Sequence, residues 1–403
     1  MKMATMAGIA LLRQIAQITL VNLWTIPQRL GSSLVIVVGI AGVVGVLVSV
    51  LAMSRGFQHT LASTGRSDRV IMLRAGSDAE MSSDITREQA VLLSAMPGIR
   101  QTASGRPLSS AELVLMVDLP RKGQSDPNNV PVRGVEGTAF EIRSEIEIVE
   151  GRRFEPGRRE VIAGQKAAGE FAGLEVGSRL KLRDSEWTVT GIFRTGGDVH
   201  ETEIWADAAT AMSNFRRQSY QSLTARLESE SAFDDLVRAI GADPRFSIKV
   251  LREPQYYAKQ SELLSSLIDV LGYIVSSFMA VGATFGALNC MYSAVASRQV
   301  EIATLRAIGF GSTPVVVSIM IEALLLAMLG GVIGAAAAWV YCNGASLSTL
   351  NFNTFSQVAF DFRVSPGLIA EGLAWALAIG LVGGLFPAIR AARAPVVQAL
   401  RAS

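Results

Sequence analysis

Three places in this sequence gather the residue types that chemistry uses. The first is Glu322, the one ionisable residue in the apolar run 307–360. A carboxyl in such surroundings is costly and faces a partner inside the protein. It can act as a proton relay, as a membrane-protease group or as a structural hydrogen bond to a neighbouring helix; the structural bond is the expectation. The second is Asp198-Val199-His200-Glu201-Thr202-Glu203, where acids surround one of only two histidines, the other being His59. Such a cluster can hold a metal ion, but it matches no ligand spacing, and the reading is a solvated loop with no metal. The third is the stretch 297–310, which holds Arg298, Glu301, Leu305, Arg306 and Gly309. Arg298 and Glu301 stand three apart, and Glu301 and Leu305 four apart, so on a helix they share a face. With Arg298, Glu301 and Arg306 exposed, that helix suits docking to another subunit; the plainer alternative is an ordinary basic loop beside a membrane. The sequence contains no GxxxxGK[ST], GxSxG, HExxH or CxxC. No catalytic residue and no cofactor of its own are therefore expected, and ATP cannot bind by a P-loop here.

The elements that must position these residues are membrane helices. The 403 residues carry 37 Lys+Arg against 35 Asp+Glu, and half are hydrophobic. That composition excludes a disordered chain. Two cysteines exclude a disulfide scaffold, and a net charge of +2 excludes a bulk nucleic-acid binder. Residues 30–54, 270–297 and 372–389 carry no charge. A span needs ~20 apolar residues, which predicts four, at 33–54, 270–292, 314–341 and 367–389. The first is expected to persist as an anchor, not to be cleaved as a signal peptide. Residues 1–32 read as an interfacial helix, with Ile9, Leu11, Leu12, Ile15, Ile18 and Leu20 on its apolar side and Pro27 before the membrane.

Near the span ends Lys2, Arg13, Arg29, Arg298, Arg306, Arg390, Arg393 and Arg401 face a single acid, Glu301. The positive-inside rule then puts residues 1–32, 293–313 and 390–403 in the cytoplasm, with 55–269 and the short loop 342–366 outside.

The outer segment 55–269 reads as α+β. Strands are expected at 69–74 and 99–104 around a helix at 86–96, and again at 222–227 and 246–251 around a helix at 232–240. Between these βαβ units, 108–208 is a β-rich insertion with strands at 112–119, 130–135, 160–163, 179–182 and 187–193. The fold class is an α-helical membrane protein of four transmembrane helices, with a large α+β extracytoplasmic domain inserted between spans 1 and 2. Gly39, Gly42 and Gly45 in the first span, the GxxxG of Gly330 and Gly334, and that of Gly380 and Gly384 suit close helix packing, within one protomer or across a dimer.

One stretch carries a more specific signal. After the second span, Arg298-Gln299-Val300-Glu301-Ile302-Ala303-Thr304-Leu305-Arg306-Ala307-Ile308-Gly309 fits the pattern R-x-x-E-I-A-x-L-R-A-x-G. The end of the chain adds Gly383-Gly384-Leu385-Phe386-Pro387-Ala388, then Arg390-Ala391-Ala392-Arg393 and Pro395 through Arg401. Here the chain resembles the FtsX-like permeases of ABC transporters, in the MacB-like branch of the type VII, mechanotransmission family. The resemblance extends to Glu160–Gly164 and to Val189 through Phe193, and covers the whole chain. It implies a porter-like pair of βαβ units with a sabre-like insertion, and a homodimer with two cytoplasmic ATPase subunits that bring ATP and Mg.

The macrolide exporter of the family has a fused ATPase. None is found in this sequence, so a separate polypeptide is expected. The ATPase-coupling residues implied are Arg298, Glu301, Leu305, Arg306 and Gly309. The function implied is export of a substrate from the periplasm or outer leaflet by a permease seated in the inner membrane, as part of a tripartite system with a periplasmic adaptor and an outer-membrane channel. Lipoprotein release, and cargo-free signalling to a cell-wall hydrolase or sensor kinase, are the alternatives.

Overall fold

The computed structural model describes residues 13–20, 30–124, 126–351, 356–393 and 395. The expectations for Ile9, Leu11, Leu12, Pro27 and the tail beyond Pro395 lie outside them. In chain order the described helices are α1 (residues 13–20), α2 (Leu30–Ala62), α3 (Arg87–Ser94), α4 (Ala139–Ile142), α5 (Gln165–Glu170), α6 (Ala208–Phe215), α7 (Ala232–Ala242), α8 (Glu253–Ala296), α9 (Gln299–Ala307), α10 (Ser312–Cys342) and α11 (Pro366–Arg393). The strands are β1 (Arg69–Arg74), β2 (Ser109–Pro120), β3 (Pro127–Val135), β4 (Glu147–Gly151), β5 (Glu160–Gly164), β6 (Arg179–Leu182), β7 (Ser185–Arg194), β8 (Ile204–Asp207), β9 (Ser222–Arg226), β10 (Ile248–Arg252), β11 (Ser346–Asn351) and β12 (Ser356–Asp361). These form two compact units. A helical unit comprises Met1–Arg55, Leu267–Ala345 and Phe362–Ser403, and a sheet unit comprises Gly56–Ser266 and Ser346–Asp361.

Among the described residues four helices are long and apolar enough to cross a membrane: Ser33–Ala62 within α2, and α8, α10 and α11. The α2 and α8 helices are both longer than the predicted spans at 33–54 and 270–292. In the helical unit, Ile40, Val43, Val44, Leu47 and Val48 of α2 pack with Ala323, Leu326 and Ala327 of α10 and with Ala376 and Ile379 of α11. Small residues on α10 and α11 let backbones approach, which gives dispersion contact where lipid offers no hydrophobic drive.

In the sheet unit ten strands join in one sheet, ordered β10-β1-β9-β2-β3-β8-β5-β7-β4, with β6 beside β7. β1 lies antiparallel between β9 and β10, and β9 lies antiparallel between β1 and β2. The two flanking units are therefore interleaved, each connection skipping over one strand. The helix expected at 86–96 is α3, closed at its start by a capping box between Thr86 and Gln89.

One expectation needs correction. Residues 99–104 do not form a strand; Ile99 and Gln101 make only isolated bridges, and β2 takes the place of the missing strand beside β9. The β-rich insertion continues the same sheet, because β2 pairs with β9 on one side and β3 on the other. The loop 342–366 contains the hairpin β11–β12, which pairs in register from Ser346 opposite Asp361. Phe360 of that hairpin meets Phe57 edge-on within the sheet unit, with ring centroids 5.4 Å apart.

Candidate functional site

The short helix α9 follows α8 after a break at Ser297 and Arg298, and it stops at Gly309, whose φ of +108° suits glycine alone. Arg298 is not on the exposed face expected for it. It is only 8% exposed, and its Nη1 lies 3.4 Å from Oε2 of Glu322 on α10, itself 4% exposed. The reason is electrostatic: a carboxylate among apolar side chains needs a cation, and Arg298 supplies it. The same guanidinium reaches outward to Glu301, with Nε 3.5 Å from Oε2. Arg298 thus ties the start of α9 to both an intramembrane acid and an exposed one.

A cavity of about 380 Å³ opens beside this pair, lined by Ile18 of α1, Val295 of α8, Leu305 of α9 and Ile319 of α10. Leu305 and Ile302 pack onto the helical core, and Ala303 is buried. The face of α9 left outward is Val300, Glu301, Thr304 and, just beyond its end, Ile308, which is 72% exposed. Arg306 lies on another side, against α8 and α11. The stretch therefore divides into an anchor (Arg298), a packing edge (Ile302, Leu305), an outward face (Val300, Glu301, Thr304, Ile308) and a glycine stop.

The seven singled-out glycines lie within the helical unit. A side-chain carbon at Gly330 would stand 2.7 Å from the Val37 carbonyl oxygen, one at Gly380 would stand 2.5 Å from Ala327 Cβ, and one at Gly384 2.6 Å from Ala323 Cβ. At Gly334 it would collide with the Ala41 carbonyl. Gly45 lies against Gly334, while Gly39 and Gly42 meet Ala283 and Met279 of α8 at ordinary contact distance.

The second candidate, His200, is not in a solvated loop. It is 1% exposed, on a tight turn (Val199–Thr202) that precedes β8. Its Nδ1 lies 3.1 Å from Glu203 Oε2, and its ring meets those of Trp205 and Tyr257 edge-on. Glu203 belongs to a buried ionic hub of the sheet unit that motif reasoning missed. Arg133 on β3 binds Glu203 through Nε and Nη2, both at 2.8 Å, and also reaches Glu80 and Glu112 at 2.8 Å. Arg143 binds Glu112 at 2.5 Å and Glu253 at 3.4 Å, and Arg69 binds Glu253 at 2.7 Å.

Burial by itself would raise the Glu203 carboxyl, but Arg133 and His200 hold it far below the usual carboxylate range. Burial likewise opposes charge on His200, and Glu203 and Asp198 outweigh it, so the imidazole is raised. The legible signal was a charged residue inside an apolar strand, as in Glu112 of ELVLM and Arg133 of VPVRGV. Among the described residues no group of His, Cys, Asp and Glu is placed to hold a metal ion.

With four span-length helices, a large α+β sheet unit and a short helix between the second and third spans, the chain has the architecture of a transporter permease. Comparison with known families makes this specific. Residues 32–243 match the MacB-like periplasmic core domain, and residues 273–396 match the FtsX-like permease C-terminal domain. The chain therefore belongs to the MacB/FtsX family of ABC transporter permeases, and is a multi-pass protein of the inner membrane.

It is 21% identical over 395 residues to the uncharacterized ABC transporter permease YknZ of Bacillus subtilis, covering 92% of this chain and 94% of that one. It is 26% identical over 392 residues to the macrolide export ATP-binding/permease protein MacB 1 of Aeromonas hydrophila, covering 91% of this chain and 57% of that one. It is 29% identical over 198 residues to the pyoverdine export ATP-binding/permease protein PvdT of Pseudomonas putida, covering 48% of this chain and 28% of that one. The chain spans nearly all of the Bacillus relative, but little more than half of the Aeromonas ATP-binding/permease protein and less of the Pseudomonas one.

Proposed function

We propose that this chain is the membrane subunit of an exporter driven by a separate cytoplasmic ATPase, which brings ATP and Mg, and that α9 is the element on which the ATPase acts. One observation carries the reading: α9 is anchored in the helical unit by the Arg298–Glu322 pair and still turns Val300, Glu301, Thr304 and Ile308 outward. An isolated loop needs no such anchor. A helix that must pass on a push does, because an unanchored one would move without moving α8 and α10. The MacB and PvdT relatives are named as exporters, which favours efflux as the outcome. In this reading two copies of the chain pair with two ATPase subunits, α2 and α8 pass the motion to the sheet unit on the far side of the membrane, and an adaptor and an outer-membrane channel complete the route.

The test is charge reversal on the outward face. Glu301→Lys should leave the chain folded and inserted, and should abolish stimulation of ATP hydrolysis by the co-expressed ATPase subunit. Unchanged co-purification and stimulation would remove α9 from the coupling path. Because Glu301 also pairs with Arg298, Glu301→Gln, which removes the charge without placing a cation beside Arg298, is the control for the buried pair.

A further inference from the structure

The sheet unit holds a polar cavity of about 730 Å³ that the export reading does not use. Its walls are the turn before β5, the β6–β7 turn and one face of α6. Asp207, at the start of α6, ties that helix to the first of these turns. Its Oδ2 accepts from Gly157 N at 3.3 Å, and from Thr210 N and Oγ1 at 3.0 and 2.5 Å. Asn214 ties α6 to the second, donating from Nδ2 to the Leu182 carbonyl at 3.3 Å. The walls are thus fixed by bonds of the chain's own.

The charged groups inside differ in what they already hold. Asp184 meets Arg183 at 3.6 Å, and Asp207 is occupied by its three donors. Arg159 and Arg216 are exposed, and neither forms an ion pair among the described residues. The hydroxyls of Ser185 and Ser213 likewise make no hydrogen bond among them. The backbone adds an independent sign. Arg216 closes α6 at φ +51°, a left-handed position that glycine or asparagine takes more readily. Arg183 has φ +55°, and among the described residues these two alone are non-glycine residues with positive φ. Strain of this kind gathers at functional sites.

We infer that this cavity binds a soluble, hydroxylated small molecule through its anionic oxygens, with a carboxylate or phosphate held by Arg159 and Arg216 and hydroxyls met by Ser185 and Ser213. Charge complementarity selects an anion, because both acids of the cavity are engaged and both of these guanidiniums are not. The guanidinium fork matches two oxygens of either group. Apolar side chains in the lining are confined to Pro156 and Ala209. An acyl chain therefore finds no wall to lie on, and the ligand is one that dissolves in water. The volume suits a molecule with several polar groups. The site lies within the sheet unit, and it does not rest on the coupling role of α9.

The probes are citrate and inorganic phosphate, titrated separately by calorimetry onto the full-length chain in mild detergent, at constant ionic strength and without the ATPase subunit. At least one should bind saturably. Tighter binding of citrate would assign the site to hydroxycarboxylates, and tighter binding of phosphate to phosphate-bearing molecules. Arg159→Gln and Arg216→Asn should each weaken binding about tenfold, as the loss of a charge-assisted contact does. The double variant should show no saturable binding. Asparagine tolerates the left-handed backbone at residue 216, so the thermal midpoint without ligand should not fall. Arg217→Gln, at an exposed arginine outside the lining, should bind as the wild type does. Failure of the wild type to bind either probe, undiminished binding by the double variant, or an equal loss in Arg217→Gln would overturn the site.

Discussion

Arg298 and Glu322 have each given up most of their water, and each answers part of the other's charge. Breaking a buried pair by removing one partner costs about 3–5 kcal/mol, whereas replacing both with apolar groups is often nearly neutral. Glu322→Leu should therefore lower the thermal midpoint of the purified chain sharply, while Arg298→Met/Glu322→Leu should recover most of the loss. Glu322→Gln keeps an acceptor for Arg298 and should fall between. If the double variant is as unstable as the single one, the pair is not what holds α9.

A proton relay makes a different demand, since a transport-dead but stable Glu322→Gln chain would show that the carboxyl carries protons. His200 poses the same question in the sheet unit. The groups that face it are Glu203 and Asp198 on its own turn, Arg143, Glu112 and Glu145 from neighbouring elements, and the Tyr257 and Trp205 rings. Because its folded-state value is raised, its contribution to stability is complete below the ordinary histidine value of about 6.5 and is lost as pH rises through the elevated one. Followed by tryptophan emission, the thermal midpoint should stay level up to about pH 6.5 and then fall. His200→Gln should flatten the fall. An identical slope in the variant would assign the titration to another group.

At the level of elements, helix packing in the membrane turns on close backbone approach. Gly334 faces the Ala41 carbonyl with no room for a side chain, whereas Gly282 on α8 has nothing within 4 Å of where one would stand. Gly334→Leu must push α2 and α10 apart and should cost about 1–3 kcal/mol as an overpacked site, while Gly282→Ala should be silent. The comparison is read from the thermal midpoints of the two variants in the same detergent. Equal effects would mean that the close approach is not needed.

The glycine spacing was legible in the sequence; the partner helix was not, because a GxxxG says only that something comes near. The same limit governs the strands. Alternating apolar residues located β2, β3, β5, β6, β7 and β9 to within a few residues, because period-two patterning is local. They did not reveal that β9 sits between β1 and β2, or that Glu112 and Arg133 meet across the β2–β3 ladder, because strand order is set by contacts distant in the chain. β8, whose four residues Ile204–Asp207 are all buried, was missed; it is as short as β6 and as uniformly buried as β5. Arg298 was misplaced because helical spacing to Glu301 was weighed alone, without asking what neutralises Glu322.

For the whole molecule, charge asymmetry is the only sequence feature that orients the four spans, and it acts through the basic residues at their ends. Arg13, Arg298, Arg306, Arg390 and Arg393 lie on the segments predicted to share one side, and the sheet unit on the segment predicted for the other. The proposed coupling role of the outward face of α9 depends on that side being the cytoplasmic one, where an ATPase is available. Single cysteines test it in a Cys290→Ser/Cys342→Ser background. Gln124 is exposed on the sheet unit, and Ile308 is exposed just after α9. A membrane-impermeant maleimide should label Gln124→Cys in cells with an intact inner membrane, and should label Ile308→Cys only after that membrane is opened. Early labelling of Ile308→Cys with protection of Gln124→Cys would invert the molecule. The Arg298–Glu322 pair would survive as structure, but α9 would then face a compartment without ATP, and no ATPase could push on it.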